Sequence, residues 1–280
     1  MKINVVPQLL AAALLMLAAA CGTPTSPTSS TSSAGHTTAE AMDFADYTKI
    51  QDTVFQDKNI SLWAKDSLTS KFESIFIRLT DKEGNPAALT SLNYDVKMDM
   101  GMMAHGAPFY PLKSLGNGIY QADIVFIMPN IRDMGKGWLL QLANSGLKDS
   151  NDTLSIALPV KEASVDRTLA TNTQADGRVF VSCLLPDQAS VGEQPIHFVL
   201  HKIEKDAFPI VDGYSIEVEP FMPDMGHGSD KNIAAKSTGD GHYEGRVNFS
   251  MKGHWDIKVR LLKDGKPASE ELLTFPVQVK

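Results

Sequence analysis

Twice in this chain a glycine-flanked turn runs straight into a strand whose apolar and polar residues alternate. The turns are Gly116-Asn117-Gly118 and Gly239-Asp240-Gly241. Asn-Gly and Asp-Gly pairs accept the positive backbone angles of tight hairpins, so each marks a reversal between antiparallel strands. After the second turn Tyr243, Gly245, Val247, Phe249 and Met251 share one parity, while Glu244, Arg246, Asn248 and Ser250 take the other. After the first, Tyr120, Ala122, Ile124, Phe126 and Met128 hold the equivalent inward face. A period of two turns one set toward a core and the other toward water. A partner strand follows in each half, with Trp255, Ile257, Val259 and Leu261 facing in, matched by Trp138, Leu140 and Leu142.

The duplication reaches further back. Ile75-Phe76-Ile77-Arg78-Leu79 and Tyr94-Asp95-Val96-Lys97-Met98 in the first half align with His197-Phe198-Val199-Leu200-His201 and Tyr214-Ser215-Ile216-Glu217-Val218 in the second. Each half closes with a last strand, Leu154 to Val160 and Leu273 to Val279. Neither half shows a helical period. Short alternating strands between turn signals, in units of about 100 residues, define an all-β chain of two tandem immunoglobulin-like antiparallel β-sandwiches. The Cys-Trp-Cys pattern of true immunoglobulin domains is absent. The expected divisions are 1-20 for an export signal, 21-55 for an anchor and tether, 56-162 for the first sandwich, 163-176 for a linker and 177-280 for the second. Residues 39-58 read either as a short helix or as an extra strand.

The beginning of the chain is not part of the fold. Lys2, an apolar run from Leu9 to Leu17, then Ala18-Ala19-Ala20-Cys21 describe an export signal too short to span a membrane. This stretch looks like a bacterial lipoprotein signal, with Ala18 where leucine is preferred, and the likeness implies that Cys21 becomes the lipidated first residue. From Gly22 to Thr38 the composition is nearly all Thr, Ser, Pro, Gly and Ala, which cannot bury enough apolar surface to order itself. The expected arrangement is a soluble body tethered to a membrane on the outer side of the cytoplasm. A net charge of −7 gives it no electrostatic reason to bind nucleic acid.

Between the strands lies a second repeated element, Met-x-x-Met-x-His-Gly. It reads Met100-Gly101-Met102-Met103-Ala104-His105-Gly106 in the first half and Met222-Pro223-Asp224-Met225-Gly226-His227-Gly228 in the second. Thioether sulfur is soft and neutral and imidazole is borderline, a donor set that suits Cu(I) or Ag(I) and not Mg, Ca or Zn. Methionine also forms no disulfide in an oxidising compartment. The candidate ligands are Met225, His227, Met222 and Met251 in the second half, and Met103, His105, Met100 and Met128 in the first. The opposing reading is packing: methionine fills irregular cores, and Met98, Met128 and Met251 fall on inward parities. Met225 and His227, set among glycines, are poorly placed for a packed core.

The run Met-Pro-x-Met-Gly-His-Gly, then Gly-Asp-Gly-x-Tyr, the strand to Met251 and Trp255 resembles the YtkA-like domain, which is related to FixH-like periplasmic proteins. The resemblance covers the second half well. In the first half Met102-Met103-Ala104 replaces the Asp-Met-Gly core, and the loop from Pro129 to Gly137 is longer. It implies an immunoglobulin-like sandwich outside the cytoplasmic membrane, connected with copper handling, and hence a partner that is an oxidase-assembly or metal-efflux component of the envelope.

His197, His201, His242 and His254 have no such setting and read as strand or surface histidines, and Cys183 reads as a buried strand residue. No nucleophile, phosphate-binding or zinc-protease motif appears, so a non-enzyme is expected. Three functions remain on sequence alone: metal buffering or delivery, a structural or interaction module of the envelope, and recognition of a small ligand between the domains.

Overall fold

A computed structural model of the chain describes residues 42–89, 91–144, 153–186, 188–205 and 207–280. The expected signal, Cys21 and the Thr/Ser/Pro-rich stretch fall outside them. Among the described residues there is no helix.

The first half contains β1 (Thr48–Phe55), β2 (Lys58–Ala64), β3 (Phe72–Thr80), β4 (Asn93–Asp99), β5 (Ala104–Gly106), β6 (Lys113–Gly116), β7 (Ile119–Val125), β8 (Gly137–Ala143) and β9 (Thr153–Leu158). They form two antiparallel sheets, β1-β2-β3-β7-β6 and β5-β4-β8-β9. The alternation seen in the sequence decides which side chains fill the space between them. Ile75, Ile77, Leu79, Ala122 and Ile124 come from one sheet, and Val96, Met98, Trp138 and Leu140 from the other, all fully buried.

The second half contains β10 (Thr168–Thr173), β11 (Gly177–Cys183), β12 (Gln188–Ala189), β13 (Gly192–Lys202), β14 (Ser215–Met222), β15 (His227–Gly228), β16 (Ile233–Gly239), β17 (His242–Phe249), β18 (Gly253–Lys263), β19 (Lys266–Pro267) and β20 (Leu273–Val279). The two layers are joined: β16 pairs with β17 at Ile233↔Arg246, shifts register, and pairs with β14 through Ile216↔Ala235. A bulge of this kind lets one strand pass between layers. The core between the layers holds Phe198, Tyr243, Val247, Trp255, Ile257 and Phe275. One short pair, β12 with β20, is parallel.

The two hairpin turns behave alike. Asn117 and Gly118 have φ of 50° and 71°, and Asp240 and Gly241 have 52° and 72°. The Gly118 carbonyl accepts from Leu79 N at 2.8 Å, and the Gly241 carbonyl from Leu200 N at 2.9 Å. Leu79 and Leu200 are therefore equivalent, and the alignment expected from sequence, which set Leu79 against His201, slips by one. The cause is that Phe198, Val199, Leu200 and His201 are all buried, so β13 shows no alternation from which to read a face.

Two boundaries also move. The tether expected to run to residue 55 gives way to β1 at Thr48, which pairs along its length with β2. Phe44 and Tyr47 already pack on Trp63 and Phe76. The linker expected over 163-176 contains β10, which pairs with β11 from Thr168↔Ser182 to Thr173↔Gly177. Its threonines conceal it. Thr171 and Thr173 are buried because their hydroxyls bond to Glu271 and to the Gly177 carbonyl.

Candidate functional site

In the second sandwich β14 and β15 are joined by a tight turn. The Met222 carbonyl accepts from Met225 N at 3.2 Å and from Gly226 N at 2.9 Å. Pro223 has no N–H to compete, and Gly226 takes the left-handed conformation at φ 66°. The turn places Met222 opposite His227 on one rung. Met222 is 5% exposed, part of the core, and its methyl fills the space that a Cβ on Gly253 would need. Met225 stands at the tip, 60% exposed.

The His227 ring meets Trp255 edge-on, with centroids 5.9 Å apart. Its Nδ1 lies 2.9 Å from the Gly228 carbonyl. A carbonyl can only accept, so in the neutral ring Nδ1 carries the proton and Nε2 keeps its lone pair. The Trp255 indole donates to the Met251 carbonyl at 3.0 Å, which holds Met251, 39% exposed, at the same end of the sandwich. Trp255 thus ties together the strand, the histidine and the backbone of Met251.

The first sandwich repeats this frame. His105 meets Trp138 edge-on at 5.4 Å, its Nδ1 lies 2.8 Å from the Gly106 carbonyl, and the Trp138 indole donates to the Met128 carbonyl at 2.8 Å. In both halves a phenylalanine, Phe126 or Phe249, backs the indole. The rung partner of His105 is Met98, and Met98 also pairs with Trp138. Met98 is therefore the counterpart of Met222, not Met100 as the motif alone suggests. Met100 lies half-buried in the turn, where its N–H donates to the Met103 carbonyl at 3.0 Å.

The structure separates His105 from Met103. His105 shares the inward face with Met98, against Trp138. Met102 and Met103 border a depression of about 680 Å³ on the outer face of the same sheet, together with Lys97, Asp99, Lys136 and Leu139. Asp99 and Ala104, the next rung along, point to that outer face. Met128 is half-buried against the core. Met98, read from the sequence as an inward packing residue, is buried in the core opposite His105; Met102 and Met134 were not among the candidates, and only the tertiary fold finds the last.

Elsewhere the candidates narrow. Burial pushes the Cys183 thiol up to about 12, so it stays an uncharged core residue. Among the described residues no three His, Cys, Asp or Glu side chains gather as a metal site. The donors at the two turns are thioether and imidazole.

The architecture is that of paired immunoglobulin-like β-sandwiches, each with a His–Trp pair at one end. Residues 173–260, which carry the second turn, the hairpin and Trp255, match the family model described as YtkA-like, so this part of the second sandwich is similar to YtkA-like domains. No curated protein matches the chain. Among solved structures it is similar to domains 5-6 of the S-layer protein SbsC, 9% identical over 84% of this chain and 98% of that one, with a TM-score of 0.31. It is similar also to the D00-D0 domain of Intimin, 11% identical over 76% and 94%, TM-score 0.26. The Escherichia coli adhesin FdeC is 15% identical over 75% of this chain, with a TM-score of 0.24, and the chain spans 60% of its length.

Proposed function

We propose that the chain is a non-catalytic, extracytoplasmic module that binds Cu(I) or Ag(I) at the Met225/His227 turn and buffers the metal or passes it on. One observation carries this reading. His227 commits Nδ1 to a backbone carbonyl and so keeps Nε2 as a lone-pair donor, two residues from a thioether that the fold leaves in water. Metal-binding histidines are oriented in this way by the hydrogen bond of their other nitrogen. Met225 is the sulfur donor and Met251, at the same end, a second. Met222 contributes packing, because its side chain is spent on the core.

Lipidation at Cys21 would hold this module near a membrane, and the tether would let it reach an envelope protein that donates or accepts the metal, an oxidase-assembly or efflux component. The resemblance of the second sandwich to YtkA-like domains supports an envelope setting.

A second reading, an interaction module without metal, draws on the same exposed thioethers as apolar contacts for a partner. Titration of the full chain with Cu(I) against a competing chelator separates the two. Metal binding requires that Met225→Ala and His227→Ala each weaken the complex by about tenfold or more, as loss of a ligand should, with unchanged melting when no metal is present. A wild-type chain that cannot take Cu(I) from the chelator, or variants equal to it, leaves the interaction module.

A further inference from the structure

The loop between β7 and β8 folds back onto the methionine turn of the first sandwich. A Cβ on Gly135 would lie 2.4 Å from both the Asp99 carbonyl and Gly101 N, and 2.7 Å from the Met100 carbonyl carbon. Gly135 also sits at φ 65°. Only glycine allows backbone to meet backbone this closely, and the contact sets Met134, one residue earlier, beside the Met100–Met103 turn. In the second sandwich the corresponding loop runs only from Phe249 to Gly253 and offers no methionine but Met251.

Three thioethers thereby stand exposed at one place: Met102 fully, Met103 at 64% and Met134 at 44%. His105 is turned to the inner face, so no imidazole joins them. The depression that Met102 and Met103 border, with the Met134 loop against their turn, carries Lys97 and Lys136 against Asp99, an excess of one positive charge. Repulsion from that excess scales with ion charge, so it opposes a divalent cation twice as strongly as a monovalent one. Flexible, neutral sulfur donors offset this only for a soft ion.

We propose that the first sandwich holds a thioether-only site, made by Met102, Met103 and Met134, that takes a soft monovalent cation, Cu(I) or Ag(I), and excludes Cu(II) and Zn(II). It extends the metal-binding reading of the second sandwich but uses different residues and no histidine. The chain then has two unlike sites, one with a nitrogen donor and one without.

The test is the Cu(I) stoichiometry of the full chain, measured by chelator competition, with Zn(II) as the divalent control. Because the three methionines are exposed, their replacement by leucine leaves the fold intact, which a thermal scan checks. Wild type is expected to hold two Cu(I) and, at this site, no Zn(II). The Met102→Leu/Met103→Leu/Met134→Leu variant should hold one, Met225→Ala/His227→Ala should hold the other one, and His105→Ala should still hold two. Met134→Leu alone should weaken the first site about tenfold. Two equivalents in the triple variant, loss of a site in His105→Ala, or Zn(II) bound in competition with Cu(I) at this site overturns the thioether-only site and leaves the second-sandwich reading standing. A single equivalent lost on Met225→Ala/His227→Ala does the same. A single equivalent lost only in the triple variant keeps this site and overturns the other, and no Cu(I) bound at all removes both.

Discussion

His201 lies edge-on to Tyr110, ring centroids 5.2 Å apart, where the two sandwiches touch. Both rings are buried, and among the described residues neither nitrogen of His201 nor the Tyr110 hydroxyl has a hydrogen-bond partner. Val125 and Val199 pack beside them, and the His242 ring lies tilted against Tyr110, centroids 4.8 Å apart. Buried polar atoms left without hydrogen bonds make this contact sensitive to charge.

Burial, with a smaller push from His242, lowers His201 from its usual value to about 4. In the folded protein the ring is neutral down to that pH, whereas in the unfolded chain it takes a proton below about 6.5. The unfolded state then binds more protons, so stability falls as pH drops from about 6.5 toward 4, by up to about 3 kcal/mol for this group. Melting temperatures across that range should fall with acid. In His201→Phe, which keeps the packing, the slope should flatten, and an unchanged slope would place the titrating group elsewhere.

Gly118 and Gly84 have similar positive φ, 71° and 88°, but unlike surroundings. A Cβ at Gly118 would meet the Leu79 carbonyl at 2.5 Å and the Ala87 carbonyl at 2.7 Å, whereas one at Gly84 meets nothing within 4 Å. Gly84→Ala should cost about 1 kcal/mol, the backbone strain alone. Gly118→Ala adds a clash with the backbone of Leu79 and Ala87 and should cost about 3 kcal/mol or more. Chemical denaturation of the two variants gives the comparison directly.

Met222 and Met225, three residues apart, should part company without any metal. Met222→Ala opens a cavity in the core and should destabilise by about 2–5 kcal/mol. Met225→Ala removes an exposed side chain and should lie within about 0.5 kcal/mol of wild type. Equal melting of the two would mean that Met222 is not a packing residue.

What could be read from the chain, and what could not, follows from which faces are covered. The hairpin turns, the alternating strands after them and the Trp138/Trp255 pair were legible because one side of each strand meets water and the other does not. β13 was misaligned by one residue because the docking of the first sandwich buries Val199 and His201 and erases that contrast. The methionine motif aligned Met100 with Met222 by spelling, yet pairing equates Met98 with Met222, since the first turn is two residues longer between rung partners. Met134 lies about thirty positions from the motif it joins, and no local pattern could have brought it there.

The stretch read as a linker ends on Asp176, which instead closes the β10–β11 turn. Its carboxylate accepts from the Tyr214 hydroxyl at 2.7 Å, from Lys263 Nζ at 3.1 Å and from Lys202 Nζ at 3.4 Å. Burial alone would push its pKa up, but the tyrosine and the two lysines outweigh it and hold the group below the usual carboxylate range. A depressed carboxylate contributes stability that is present above its unfolded pKa and lost as pH falls through the folded value. Asp176→Asn keeps the shape and removes the charge, so at pH 7 it should cost about 2 kcal/mol, the worth of hydrogen bonds to a charged acceptor. Both lysines reach solvent, so neither is stranded by the change. As pH falls below the usual carboxylate range wild type begins to protonate the same carboxylate, and the gap between the two melting curves should close. A gap that persists unchanged into acid would mean that shape, and not charge, is what Asp176 supplies.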